Sequence, residues 1–189
     1  MKKYLSCLFL FFVSSSIFSQ ITIKELPLDT SYSTDTVNYA NTSTRTFIPL
    51  NSDWNVYAED SEETSVLVNV PSSFNSTSPI IYEKTLDIRS ELLANNSFRI
   101  HFMGISYLVD IYLNDLILVK KTGGNIPFTL DLPSELINIE NNNVITLKII
   151  DELDSKSTIP LHQRFLLPKH SGGILREVFL EIYPKEYVE

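Results

Sequence analysis

Residues 97–130, with the sequence SFRIHFMGISYLVDIYLNDLILVKKTGGNIPFTL, decide the fold. At the start of this stretch Phe98, Ile100 and Phe102 alternate with Arg99 and His101. Successive side chains of a β-strand point to opposite faces of the sheet, so this alternation predicts a strand with one apolar and one polar face. The stretch therefore opens with a half-buried strand.

Turn residues divide the remainder of the stretch. Met103-Gly104 interrupts the first strand, and Asn114-Asp115 supplies two residues that tolerate positive φ between two apolar runs. The pair Gly123-Gly124 lets the backbone turn without a Cβ in the way. We expect three antiparallel strands, at residues 98–102, 107–113 and 116–119, that form one meander. A fourth strand is expected to begin at Pro127-Phe128.

The composition is that of a folded all-β domain. Of the 189 residues, 43% are hydrophobic and 20% are charged, which excludes a disordered chain and a multi-span membrane protein. Strand formers dominate after residue 20, and turn residues recur about every 8 to 12 positions, which is typical of β-sandwiches. We therefore predict two stacked antiparallel sheets, with further strands at 66–70, 81–88, 144–150 and 174–183 and single helical turns at 91–93 and 131–135. Residues 47–57 form the first segment with core-building residues.

Residues 1–20 have the pattern of a secretory signal. Lys2 and Lys3 precede an apolar run at 4–13, and small residues follow. The segment predicts an exported protein, periplasmic or secreted, although a buried N-terminal helix is the alternative. Cys7, the only cysteine, lies inside it, so the exported chain would carry no thiol.

Charge and order bound the remaining chain. Loss of Lys2 and Lys3 takes the formal charge from −8 to −10, which disfavours nucleic acid as a partner. Residues 21–46 are rich in Ser, Thr, Asn and Asp and predict an extended or disordered lead-in that wraps the edge of the fold. The sandwich is expected at 47–184. Residues 151–171 have no clear period, which is typical of functional or mobile connections.

Catalytic and metal-binding patterns are weak. General acid and base catalysis by paired carboxyl groups needs two of them held close together, whereas the adjacent pairs Glu62-Glu63 and Asp151-Glu152 fit solvated turns better. The sequence contains no Gly-x-Ser-x-Gly nucleophile turn, and His101, His162 and His170 lack the spacing of zinc ligands. We therefore predict no catalytic, cofactor-binding or metal-binding residue and no cofactor.

Seven short motifs follow one another along residues 47–184. They are Leu50-Asn51-Ser52-Asp53-Trp54, Val70-Pro71-Ser72-Ser73-Phe74, Tyr82-Glu83-Lys84, Phe102-Met103-Gly104-Ile105, Tyr112-Leu113-Asn114-Asp115, Gly123-Gly124-Asn125-Ile126-Pro127-Phe128 and Gly172-Gly173-Ile174-Leu175-Arg176-Glu177-Val178. In this order and with these gaps they resemble the N-terminal sugar-binding domain of glycoside hydrolase family 2, which includes β-galactosidases, β-glucuronidases and β-mannosidases. The resemblance implies a jelly-roll β-sandwich of the galactose-binding type.

The resemblance also implies partners and a division of labour. In the family this domain precedes an immunoglobulin-like sandwich and a (β/α)₈ barrel that carries two catalytic glutamates. A barrel takes about 250 residues, so we expect this chain to end before it, with 185–189 as the start of a linker. The implied function is that of an exported accessory domain that contacts carbohydrate and packs against those later domains.

The resemblance places candidate sugar contacts in two loops. Ser73 stands where some β-galactosidases carry an asparagine that reaches the sugar, and Phe74 stands where a tryptophan is usual. The second loop, at 166–171, has no carboxylate. The candidate sugar-binding residues are Ser73, Phe74, Asn75, Lys169 and His170. The alternative function is a stand-alone carbohydrate-binding or protein-interaction module, and an independent enzyme is disfavoured by the absence of a nucleophile motif.

Overall fold

The computed structural model describes residues 22–27, 39–61, 65–76, 78–122, 125–151 and 171–186. Within these residues the chain forms fourteen β-strands, one short α-helix and one 3-10 turn. The predicted all-β, antiparallel sandwich is confirmed. No helix in this part of the chain has the length and apolar character needed to cross a membrane.

The larger sheet has six antiparallel strands. Its spatial order is β10-β9-β12-β6-β3-β4, so β12 and β6 lie at its centre. The bounds of its strands are β3 Trp54–Ala58, β4 Val66–Val68, β6 Ile80–Leu86, β9 Leu108–Leu113, β10 Leu116–Thr122 and β12 Asn143–Ile150.

The bounds of the remaining strands are β1 Thr22–Glu25, β2 Thr46–Pro49, β5 Ser72–Asn75, β7 Asn96–Phe102, β8 Ile105–Ser106, β11 Phe128–Leu132, β13 Gly173–Ile174 and β14 Val178–Pro184. Four of them form the smaller antiparallel sheet in the order β11-β7-β14-β2, and the others form two short two-stranded sheets, β1-β5 and β13-β8. The helix α1 spans Ser90–Leu93 and the 3-10 turn spans Ser134–Leu136, close to the two predicted helical turns.

The core lies where the inner faces of the sheets meet. On β12, Ile145, Leu147 and Ile149 are completely buried, as their alternation predicts. Trp54 and Tyr82 are also completely buried and meet edge to face at 6.3 Å between ring centroids. The indole Nε1 of Trp54 donates a hydrogen bond of 2.6 Å to the carbonyl oxygen of Leu50, so its one polar atom has a partner.

The turn between β9 and β10 forms as predicted. Asn114 and Asp115 both have positive φ, 49° and 66°, and Leu116 pairs with Leu113. Two successive residues of positive φ match the twist of the flanking strands. The Asn114 side chain then ties the turn to the next strand, since its Oδ1 accepts from the backbone N–H of Val144 at 2.9 Å.

The expectation of a single three-stranded meander is wrong. Strand β7 pairs with β11 and β14, whereas β9 pairs with β10 and β12, so the chain passes from one sheet to the other between them. Gly104 lies where the chain crosses between the sheets. There is no room for a side chain at this position, because a Cβ there would stand 2.0 Å from Oδ1 of Asn125. Alternation identifies a strand but says nothing about its partner, which is why the sequence did not reveal the switch.

Glu181 is 1% exposed although it lies on the outer face of β14. Its carboxylate is 2.8 Å from Nε2 of His101 and within 4 Å of the guanidinium groups of Arg45 and Arg99. Tyr39 stacks on Phe179 at 5.0 Å between ring centroids and thereby covers the same face. The outer side of the four-stranded sheet is therefore closed by a charged and aromatic layer.

The buried hydroxyl of Tyr82 makes the stability of the fold decrease as the pH rises into the alkaline range. Burial raises the pKa of its hydroxyl from 10.0 to about 12, and the hydrogen bond with Ser72 opposes that rise. The unfolded chain releases this proton before the folded chain does, so its contribution is complete below pH 10 and is lost as pH rises to about 12. We predict a loss on the order of 2 to 3 kcal/mol in the free energy of unfolding across this window, measured by urea denaturation.

The matched variant is Tyr82→Phe, which keeps the ring and removes the titrating hydroxyl. Its free energy of unfolding should decline less steeply than that of the wild type over the same window. Equal slopes for the two proteins would contradict the assignment of this pH dependence to Tyr82.

Candidate functional site

The first candidate loop forms strand β5, which has one inward and one outward face. Ser72 and Phe74 are buried, Ser73 is half-buried and Asn75 is exposed. Because side chains alternate along a strand, Ser73 and Asn75 share the outward face about 7 Å apart. Phe74 points into the core, where its ring lies 6.3 Å from that of Tyr82.

Strand β1 extends this outward face. Lys24 pairs with Ser73 and Thr22 pairs with Asn75 in antiparallel register, so the four side chains lie on one side of the β1-β5 ribbon. We call Thr22, Lys24, Ser73 and Asn75 the ribbon face. It offers two hydroxyls, one amide and one ammonium, which are groups that donate to and accept from the hydroxyls of a sugar.

Backbone contacts hold the ribbon on the sandwich. The N–H of Phe74 donates to the carbonyl oxygen of Gly172 at 2.9 Å, and the N–H of Leu26 donates to that of Pro71 at 2.8 Å. Gly173 has a φ of 134°, and a Cβ there would stand 2.4 Å from the carbonyl oxygen of Ser72. The second glycine of the Gly172-Gly173 motif thus allows β13 to approach β5 backbone to backbone.

A buried hydroxyl pair fixes the inward side of β5. Ser72 Oγ and Tyr82 Oη are 3.1 Å apart, and both residues are completely buried. Each hydroxyl is the hydrogen-bond partner of the other within the core, so the pair sets the depth at which β5 lies. The orientation of Ser73 and Asn75 follows from that depth.

The structure describes only some of the residues that the sequence predicts for a site. Lys169 and His170 lie outside the described residues, as do Glu62, Glu63, Glu152 and His162. Ser73 and Asn75 remain predictions as sugar contacts, and so does Phe74, whose ring the structure buries to 2% exposure. Within the described ranges, no three His, Cys, Asp or Glu side chains come together as metal ligands.

Sequence reasoning missed Thr22 and Lys24. Both lie in the segment interpreted as an extended or disordered lead-in, where β1 forms. The signal was present, because Ile23 between them packs on the core while its two neighbours are exposed. One apolar residue between two polar ones is too short a period to distinguish from chance.

Comparisons with known proteins connect this geometry to glycosidases. A putative β-glucuronidase of Formosa agariphila is 28% identical over 107 residues, which is 57% of this chain and 12% of that protein. A β-galactosidase of Thermoanaerobacterium thermosulfurigenes is 29% identical over 164 residues, which is 77% of this chain and 22% of that protein. No family model matches the chain.

The solved structure of a β-D-glucuronidase of Dictyoglomus thermophilum has the same fold over 80% of this chain, with a TM-score of 0.64 and 20% identity. The resemblance to the N-terminal domain of glycoside hydrolase family 2 is confirmed. This chain covers only 30% of the length of that structure, as it covers 12% and 22% of the two curated relatives. The family 2 resemblance therefore applies to one domain.

The neighbouring residues Ser72 and Ser73 test the division of β5 into two faces. Ser72→Ala leaves the buried hydroxyl of Tyr82 without its partner, so we predict a loss of about 1–3 kcal/mol in the free energy of unfolding. Ser73→Ala changes the outward face and should stay within about 0.5 kcal/mol of the wild type. Urea denaturation monitored by tryptophan fluorescence measures both.

Combining Ser72→Ala with Tyr82→Phe removes both polar groups together and should recover much of the loss. Equal destabilisation by Ser72→Ala and Ser73→Ala would show that β5 does not bury one serine and present the other.

Proposed function

We propose that this chain is an exported accessory domain of family 2 glycoside hydrolase architecture that contacts carbohydrate without catalysing its hydrolysis. The observation that supports the proposal is the β-sandwich itself, which is similar to a β-galactosidase over 77% of this chain and to a β-D-glucuronidase structure over 80% of it. In that architecture the reacting carboxylates belong to a barrel, and the residues described here form a sandwich.

The ribbon face supplies the carbohydrate contact. Thr22, Lys24, Ser73 and Asn75 project from paired strands whose backbone hydrogen bonds anchor them to the core. Polar groups fixed on strands lose little freedom on binding, and sugar hydroxyls need such placed donors and acceptors for orientation. The downstream immunoglobulin-like and barrel domains are the proposed protein partners, in line with the family resemblance.

Export follows from the segment at 1–20, with its two lysines, its apolar run and its small residues. The proposed location is the periplasm or the medium. A chain with its only cysteine in that segment suits an oxidising compartment, because no thiol would remain to form unwanted bridges.

A glycan array with the purified chain tests the function. The wild type is expected to bind sugars, and the double variant Ser73→Ala/Asn75→Ala should weaken that binding about tenfold, since it removes two hydrogen-bonding side chains. Chromogenic β-glucuronides and β-galactosides should stay intact under the same conditions.

The control is Thr129→Ala, an exposed residue on β11 of the four-stranded sheet, which is not hydrogen-bonded to the β1-β5 ribbon. It should bind as the wild type does. Glycoside hydrolysis by the purified chain, or an array without any bound sugar, would refute the proposal.

A further inference from the structure

A cleft of about 340 Å³ lies on the outer face of the six-stranded sheet and shares no lining residue with the ribbon face. Four adjacent strands line it in two ladder rows. One row runs through Tyr57, Ile81 and Lys148, and the next through Glu83, Thr146 and Tyr112. Glu59 and Asp115 complete the lining at its rim, and we call the surface formed by these eight residues the outer cleft.

The sheet beneath the outer cleft is backed by the core. The inward neighbours of its residues on β6 and β12, namely Ile80, Tyr82, Ile145 and Leu147, are all completely buried. Ile81 itself is 7% exposed and forms an apolar floor. Because buried side chains are closely packed, strands that carry them hold their outward side chains in place.

Contacts between side chains hold the polar groups of the cleft in position. The hydroxyl of Tyr57 donates to Oε1 of Glu83 at 3.0 Å, and Lys148 forms an ion pair with Glu59 at the rim. These contacts fix a carboxylate and an ammonium on the same surface before any ligand arrives. Preorganised polar groups of this kind lower the entropy lost on binding.

Two tyrosines flank the cleft on strands that are not neighbours. Tyr57 lies on β3 and Tyr112 on β9, separated by three strand spacings, or about 14 Å. A pyranose has an apolar C–H face and a rim of hydroxyls, and tyrosine combines an apolar ring with a polar tip. The separation exceeds one sugar ring, so the two tyrosines would contact different units of one chain.

The negative charge of the outer cleft favours neutral oligosaccharides over acidic ones. Three carboxylates, those of Glu59, Glu83 and Asp115, and one ammonium, that of Lys148, line it, for a formal charge of −2. A uronic acid or a sulfated sugar would bring further negative charge into a negative cleft on a chain of formal charge −8. A neutral sugar meets no such repulsion.

We propose that the outer cleft is a second carbohydrate site, which binds a neutral oligosaccharide across Tyr57 and Tyr112 and rejects its acidic counterparts. The inference rests on the proposed carbohydrate-contacting function but assigns it to a separate surface. Glu83, Thr146 and Lys148 would hydrogen-bond sugar hydroxyls between the two rings.

Calorimetry with matched tetrasaccharides tests the site, pairing neutral chains of glucose, galactose or xylose with their uronate or sulfate counterparts. A neutral chain should bind at least about fivefold more tightly at low ionic strength, and the difference should narrow as salt is added. Tyr57→Ala and Tyr112→Ala should each weaken neutral binding by about two- to tenfold. Tyr107→Ala, which truncates a tyrosine outside the cleft, should leave it unchanged.

A charge-changing variant provides a readout that a merely structural role would not move. Glu83→Gln/Asp115→Asn removes two negative charges from the cleft and should bring acidic binding close to neutral binding. The control Glu91→Gln/Glu140→Gln changes the net charge equally at exposed positions elsewhere and should keep the wild-type preference. Thermal unfolding of every variant identifies any that fail to fold. If Tyr57→Ala fails to fold, Tyr57→Phe replaces it. That variant keeps the aromatic ring, so its affinity for the neutral chain should lie within about twofold of the wild type.

The outcomes separate this inference from the proposed function. Binding that depends on Ser73 and Asn75 but not on Tyr57 and Tyr112 overturns the outer cleft and leaves the proposed function intact. Binding that depends on the two tyrosines alone supports the outer cleft as a carbohydrate site and rules out sugar binding by the ribbon face. Equal or tighter binding of the acidic chains overturns the cleft, as does self-association of the chain that Tyr112→Ala abolishes.

Discussion

The alternation of side chains along β12 is the constraint on which the structure depends. Ile145, Leu147 and Ile149 fill the core, and because the period of a strand is two, Thr146 and Lys148 must face outward. Pairing with β6 on one side and β9 on the other extends both faces across the sheet. A shift of one residue in this register would place lysine in the core, so burial and the polar surface are fixed together.

The two layers use their outer faces differently. The four-stranded sheet closes its outer face, where Glu181 is buried beside His101 and the ring of Tyr39 stacks on Phe179. The six-stranded sheet leaves a polar and aromatic cleft open on its outer face, with Tyr57 and Tyr112 at the flanks. A covered face adds packing and an ion cluster to the fold, whereas an open face backed by a core is suited to binding. Both sheets obey the same alternation, and the difference comes from the segment around Tyr39 and Phe47.

Much of the fold could be predicted from sequence because it depends on local periodicity. The strands at β7, β9, β10 and β12, the Asn114-Asp115 turn and the inward set of β12 all follow from residues close in the chain. The partners of β7 could not be predicted, since alternation specifies a face but no neighbour. The burial of Glu181 and the cross-strand rows of the cleft arise from residues far apart in sequence, so only the register brings them together.

The central claim is the proposal that fixed polar strand faces of this β-sandwich contact carbohydrate without cleaving it. The most direct measurement is a nuclear magnetic resonance titration of the ¹⁵N-labelled chain with a neutral tetrasaccharide that it binds, followed by analysis of the sugar. The account predicts amide shifts confined to β1 and β5 or to β3, β6, β9 and β12, with the sugar recovered intact. Shifts centred on β2, β7, β11 and β14, or cleavage of the tetrasaccharide, would contradict it.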